Sequence, residues 1–202
     1  MSNELLVEEL VSLGVISTDS VRDAFLAVDR ADFVLEEFLD EAYSNRPLPI
    51  GHDQTISQPL TVALMLEDLV VKEGMCVLDV GCGCGYSTAL LNHLVGFQGV
   101  VFGVERVPAL VEFAKKNLRR VGVEVDVLQA TDTLGLVSKA PFDRILVSAA
   151  AKQVPKQLVS QLVVGGLMVV PVNNDLLTVK RVKEGYEVVR RREGFRFVKL
   201  VE

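Results

Sequence analysis

Residues Cys76-Val77-Leu78-Asp79-Val80-Gly81-Cys82-Gly83-Cys84-Gly85-Tyr86 constrain this chain more than any other stretch. Cys76 to Val80 read as a buried strand, glycine then takes every second position, and Ser87-Thr88-Ala89-Leu90-Leu91 opens a helical pattern. A strand, a glycine-rich turn and a helix form the first half of a nucleotide-type site. Glycine lacks a Cβ, so it reaches backbone angles closed to other residues and lets a ligand lie against the main chain. The helix that follows points free N–H groups into the turn. A tight strand-to-helix turn without a ligand would give the same short pattern.

The spacing separates one ligand class from another. Gly81, Gly83 and Gly85 give G-x-G-x-G, with Tyr86 where the dinucleotide fingerprint G-x-G-x-x-G wants its last glycine. Asp79, two residues before the first glycine, is a poor neighbour for a pyrophosphate and a tolerable one for a cationic, phosphate-free nucleoside. The stretch resembles the first motif of the S-adenosylmethionine-dependent methyltransferases. Val100 to Glu105 read as the second strand, ending on a carboxylate where a ribose diol would be held. One carboxylate can accept from both hydroxyls. A solvated charge at a strand end is the alternative, and the glycine turn upstream favours the ligand. Val123 to Leu128 read as the third strand. Asp132, in its exit, could accept from the exocyclic amine of a base or could cap the turn at Thr133-Leu134-Gly135; the sequence leaves both open.

Length and composition narrow the class. The 202 residues suit one domain, and an apolar fraction of 50% fills a core easily. A net charge of −6 argues against nucleic acid as a partner. Arg190-Arg191-Arg192, the one basic cluster, reads as a solvated strand end. The N-terminus has no basic n-region, and apolar runs such as Leu162 to Val172 are too short to span a bilayer, so no membrane association is expected. Three cysteines, an odd number, suggest no disulfide framework and fit a reducing, cytoplasmic location. Cys82-x-Cys84 with Cys76 does not read as a metal site, because His52 and His93 are isolated and no second cysteine pair exists.

Residues 4–13 carry an amphipathic pattern, Ser17-Thr18-Asp19 cap a second helix with Val21, Phe25 and Val28 inward, and Phe33 to Leu39 form a third short apolar pattern. The segment from Tyr43 to Pro59 is neither helical nor alternating, and loops of this length in a compact domain are usually functional. Gln54, Thr55, Ser57 and Gln58 crowd into it. Ser57 could cap the helix that Pro59 opens, could line a pocket with Thr55, or could do both. Further on, Arg144 to Ser148 read as a fourth strand and Pro155 to Leu162 as a helix. Gly165-Gly166 read as a turn into a fifth strand, Leu167 to Val172. Asp175–Val182 and Tyr186–Arg191 read as a hairpin, and Phe195 to Val201 as a last strand. The expected fold is α/β, a doubly wound Rossmann-like sheet, mostly parallel with an antiparallel C-terminal end, preceded by an N-terminal helical cap. One domain over 1–202 is expected, with 1–59 as cap and substrate loop and 60–202 as the cofactor-binding core.

From about Val21 to Val201 the chain resembles the protein-L-isoaspartate (D-aspartate) O-methyltransferases. The resemblance is strongest in Pro47-Leu48-Pro49-Ile50-Gly51 followed by Gln54-Thr55-Ile56-Ser57-Gln58-Pro59, which is similar to that family's own signature. Val77 to Tyr86 is similar to its cofactor motif. Pro141 to Ile145, Ala149-Ala150-Ala151, Val154-Pro155, Leu158, Gln161-Leu162, Gly165-Gly166 and Pro171-Val172 follow its third region, and Phe197-Val198 with Leu200 its closing strand. The resemblance implies methylation of the α-carboxylate of isoaspartyl residues in damaged proteins, with S-adenosylmethionine as donor. The ester then collapses to a succinimide that reopens partly to normal aspartate. It implies the active-site role for Ser57, with Thr55 and Ile56 along cofactor and substrate. It implies Gly81, Gly83 and Gly85 near the methionine part, with Asp79 beside them, Glu105 at the ribose and Asp132 at the adenine. A monomer is expected.

The sequence departs from that pattern at a few positions. Thr131-Asp132-Thr133 stands where the family shows Gly-Asp-Gly, Asn45 where aspartate is usual, and Asn173 where a glycine follows Pro-Val. A methyltransferase with another acceptor, or a relative that binds the cofactor without turnover, are the competing readings.

Overall fold

The computed structural model describes residues 2–201. At the N-terminus, α1 (Asn3–Ser12) starts where Ser2 accepts from the Leu5 N–H, and α2 (Asp19–Ala27) where Thr18 accepts from the Val21 N–H. Two 3₁₀ turns follow, Arg30–Phe33 and Glu36–Glu41. Thr18 and Ser17 also donate side-chain and main-chain hydrogen bonds to the carboxylate of Glu67, which ties the cap to the core.

The 43–59 segment folds as a small antiparallel hairpin, β1 (Leu48–Gly51) and β2 (Gln54–Ile56). Its tip residues His52 and Asp53 both have positive φ, 53° and 57°, the geometry that matches the twist of paired strands. Then come α3 (Pro59–Leu69), β3 (Cys76–Val80), α4 (Tyr86–Val95), β4 (Val100–Glu105), α5 (Pro108–Arg120), β5 (Asp126–Gln129), β6 (Phe142–Val147), α6 (Lys156–Ser160), β7 (Leu162–Val172), β8 (Asp175–Arg181) and β9 (Tyr186–Glu193).

Seven strands form one sheet in the order β5-β4-β3-β6-β7-β8-β9. The first five are parallel and β8 and β9 antiparallel, as expected. The chain leaves β3 in both directions, first to β4 and β5, later to β6 and β7. That reversal opens a crevice at the carboxyl ends of β3 and β6. The period of two in β3 divides the core. Val77 packs with the cap and with α3, α4 and α5, whereas Leu78 packs with α6 on the other face.

Three expectations need correction. Gly165-Gly166 is not a turn before the fifth strand but a bulge inside it. Pairing runs Phe142↔Leu162 and then Arg144↔Leu167, so β7 advances further than β6 between the two pairs. Gly165 has φ +89°, and a Cβ on Gly166 would stand 3.0 Å from the Asp143 carbonyl, so the strand bends there only with glycine. The helix before it is accordingly shorter, Lys156–Ser160. Phe195 to Val201 is not a sheet strand. It crosses the carboxyl ends and makes a single parallel bridge, Lys199 to Ala150, with hydrogen bonds from Ala150 N–H to Val198 and from Leu200 N–H to Ala150. The third strand begins later than its apolar run, at Asp126.

Candidate active site

The carboxyl ends of the parallel strands surround a cleft of about 830 Å³, within the range of small-molecule sites. Gly81 follows β3 into it, Glu105 ends β4, and Gln129 ends β5. Thr55 and Ser57 come in from the hairpin, and Val198 to Val201 from the crossing C-terminal segment. A second groove of about 430 Å³ adjoins it, and a small cavity of about 30 Å³ lies behind. Thr55, Ser57 and Ser148 line all three. Ser148 was missed in the sequence, although its place just past the end of a parallel strand is where ligand contacts gather.

Glu105 is buried and fastens the glycine turn from beside it. Its Oε2 accepts from Gly83 N–H at 3.1 Å and its Oε1 from Val107 N–H at 2.8 Å. Each oxygen accepts only one of these bonds and Glu105 lines the cleft, so the expected ribose contact remains chemically open. Gly81, with φ +77°, lines the cleft. Gly83 and Gly85 are not among its lining residues. Gly85, with φ +91°, turns the chain into α4 and packs against Leu118 and Ala114. Asp79 is not a lining residue either. It is fully buried below the turn, where its Oδ2 accepts from Ser87 Oγ at 2.6 Å and Thr88 Oγ1 at 2.7 Å, and its Oδ1 has no partner. Burial pushes its pKa up to about 6, opposed by those two hydroxyls. Ile56 lines only the small cavity.

Ser57 does not cap α3. The residue before that helix is Gln58, without a side-chain cap, and Asn45 Oδ1 accepts from Leu60 N–H at 3.1 Å instead. Asparagine keeps the acceptor that an aspartate would offer here. Ser57 is instead held through its own carbonyl by Arg30, which sequence analysis also missed. Arg30 is completely buried without a carboxylate. It donates to the carbonyls of Ala42 (2.9 Å), Ser57 (2.8 Å) and Arg46 (3.3 Å), and its guanidinium lies over the Tyr86 ring, 5.6 Å from the centroid. Burial lowers its pKa below the ordinary arginine value.

Asp132 lines the cleft from an exposed loop. The turn there is closed by Thr131 Oγ1, which accepts from Thr133 N–H at 3.3 Å, so Asp132 is left free. From behind, Gln161 grips the loop, accepting from Leu136 N–H at 2.8 Å and donating to the Leu134 carbonyl at 2.8 Å. Asn173 has φ +54°, a left-handed position that asparagine fills better than most residues other than glycine. Burial pushes the Cys84 thiol up to about 11 and the Cys82 thiol well above its usual value, so both stay protonated at neutral pH. Among the described residues, no three His, Cys, Asp or Glu side chains are placed to hold a metal ion.

A sheet in this order, a ribose-competent carboxylate at the end of β4 and a glycine turn without the dinucleotide spacing define a Rossmann-like methyltransferase. The sequence matches the family described as Protein-L-isoaspartate(D-aspartate) O-methyltransferase over residues 1–202. The protein-L-isoaspartate O-methyltransferases of Methanopyrus kandleri and Thermococcus onnurineus are each 46% identical to it, over 96% of this chain and 88% and 91% of theirs. A solved protein-L-isoaspartate O-methyltransferase superimposes with TM-score 0.89 at 29% identity, over 99% of this chain, which spans 66% of that longer one. A Plasmodium falciparum structure described as a putative member, in complex with S-adenosyl-L-homocysteine, superimposes with TM-score 0.86 at 29% identity, over 100% of this chain and 99% of that one. The chain belongs to the protein-L-isoaspartate O-methyltransferase family.

Proposed function

We propose that Ser57 and Thr55 present the α-carboxylate of an isoaspartyl or D-aspartyl residue to a methyl donor at the junction of the cleft and the groove. The observation that carries this reading is that Thr55, Ser57 and Ser148 line both spaces, so one end of each meets there. The large cleft fits S-adenosylmethionine: Glu105 has lone pairs to spare for a ribose, Asp132 has an open carboxylate on the base side, and Gly81 keeps the floor low. Gly83, Gly85, Ile56 and Asp79 support the same binding from behind by shaping the turn. When bound, S-adenosylmethionine supplies a methyl group activated on a sulfonium sulfur.

Little further chemistry is required of the protein. A carboxylate is already ionised at neutral pH and needs no general base. Ser57 orients it through a hydroxyl hydrogen bond, and the hairpin and the 195–201 segment hold water away, so alignment does most of the work. The ester formed on a damaged protein is the first step of its repair. The reading takes 1–202 as one domain, the cap (1–59) and core (60–202) sharing a continuous apolar cluster, and as a monomer whose site needs no second subunit. It places the protein in the cytoplasm, where three unpaired cysteines are at ease. No helix among the described residues is long and apolar enough to cross a membrane.

The test is methyl transfer from radiolabelled S-adenosylmethionine to a short isoaspartyl peptide, with the normal aspartyl peptide as control. Base-labile label on the isoaspartyl peptide alone is expected. No label on either peptide, with cofactor binding intact by calorimetry, removes the reading.

A further inference from the structure

The groove beside Ser57 is lined by neutral side chains with one exception, Arg196. α3 supplies Leu60 and Thr61 with Gln58 before it, and the crossing segment supplies Phe195 and Phe197 around Arg196. The three arginines just upstream are all paired: Arg190 and Arg192 with Asp68, Arg191 with Asp175. Arg196 is exposed and, among the described residues, has neither an ion pair nor a side-chain hydrogen bond. In a chain of net charge −6, an unpaired guanidinium in the groove next to the reacting position marks that groove for a carboxylate.

Two carboxylates could meet it: the one that is methylated, or an acidic side chain nearby in the substrate. The reaction itself discriminates. Methylation turns a carboxylate into a neutral ester, so a cation on that group would stabilise the reactant more than the transition state and slow the step. A cation on a neighbouring carboxylate, whose charge persists throughout, contributes equally to both states and improves capture. We propose that Arg196 is a specificity-determining residue that selects isoaspartyl sites flanked by Asp or Glu. This rests on the groove being the peptide side of the site, as proposed above.

The experiment compares kcat/KM for end-blocked isoaspartyl peptides that differ only in Glu against Gln beside the isoaspartyl residue, on each side in turn. The expected preference for Glu is about threefold to fivefold, the range of an exposed ion pair, and it shrinks as salt is added. Arg196→Gln brings the ratio to one and Arg196→Glu reverses it. A ratio of one in the unaltered enzyme overturns the proposal. So does a ratio that survives in Arg196→Gln while both peptides slow together, which would put the guanidinium on the reacting carboxylate. Leu60→Trp, which narrows the same groove from α3, separates the two levels. If it slows both peptides but Arg196→Gln leaves the ratio untouched, only the role of Arg196 fails. If it slows neither, the groove is not the peptide side and the underlying reading fails as well.

Discussion

Arg30, completely buried, donates from Nη1 to the main-chain carbonyl of Ser57 at 2.8 Å. The same guanidinium covers Tyr86, the first residue of the helix behind the glycine turn. One buried cation therefore fixes the 48–56 hairpin and the glycine turn relative to each other. Arg30→Lys keeps the charge but loses the planar fork, leaving at least one carbonyl unpartnered, at a cost of about 1–3 kcal/mol for each. Thermal unfolding reads that loss directly. With Ser57 released from its support, kcat on an isoaspartyl peptide falls about tenfold or more, as expected when alignment carries the rate. A lysine variant with unaltered melting temperature and rate would reject the coupling.

Ser57 and Ser148 share the junction but should not fail alike. Under the proposed function Ser57→Ala removes the orienting hydroxyl and lowers kcat by about tenfold to hundredfold, with S-adenosylhomocysteine affinity by calorimetry held. Ser148→Val adds bulk where the three spaces meet, so it weakens cofactor and peptide together. If Ser57→Ala weakens cofactor affinity as strongly as kcat, Ser57 is a cofactor contact rather than a substrate-orienting one.

Asp79 gives the fold a specific pH response. Its folded pKa is raised from the model-peptide value near 4 to about 6, chiefly by burial. A raised carboxyl pKa means that the folded state holds the proton more tightly. The contribution is therefore full below about pH 4, declines between about 4 and 6, and is lost above that. Asp79→Asn cannot titrate. Relative to the unaltered protein, it should gain about 2 kcal/mol on going from pH 4 to pH 7. Paired denaturant titrations across that range check it, and a constant difference between the two proteins would place the Asp79 pKa at its ordinary value.

What was legible in the sequence was local. Gly81 and Gly85 announce themselves because a positive φ restricts the residue type on the spot, and Glu105 because a strand pattern ends on it. The hairpin at 48–56 was not, since Leu48 and Ile56 pair through backbone geometry that no periodicity records. Gly165-Gly166 misled because glycine pairs serve turns and bulges equally. Phe195 to Val201 read as a strand because it is rich in apolar residues, yet Phe195 and Phe197 pack on the core without joining a ladder. Arg30 was invisible because its partner Ser57 lies 27 residues away, and Gln161, which the family resemblance includes, gave no sign of its hold on Leu134, also 27 residues away. A buried arginine or glutamine carries no mark of burial in its own neighbourhood.

Gly135 and Gln161 make the last case. The carboxamide of Gln161 holds the Leu134–Leu136 backbone, and with it the loop that carries Asp132. An alanine methyl at Gly135 would run into that carboxamide and stand 2.7 Å from Leu158 Cδ2, at φ +88°. Gln161→Ala should loosen the loop and raise KM for S-adenosylmethionine about tenfold, the effect of losing about one well-made hydrogen bond, while kcat at saturation is largely kept. Gly135→Ala should destabilise through both strain and collision, by about 2 kcal/mol or more. In the double variant the collision with Gln161 is gone and the strain remains. The combined cost should then fall short of the sum by about 1 kcal/mol, within the range of contacting pairs. Additive costs in denaturant unfolding would mean that the two residues act independently, and that the Asp132 loop is positioned by something other than Gln161.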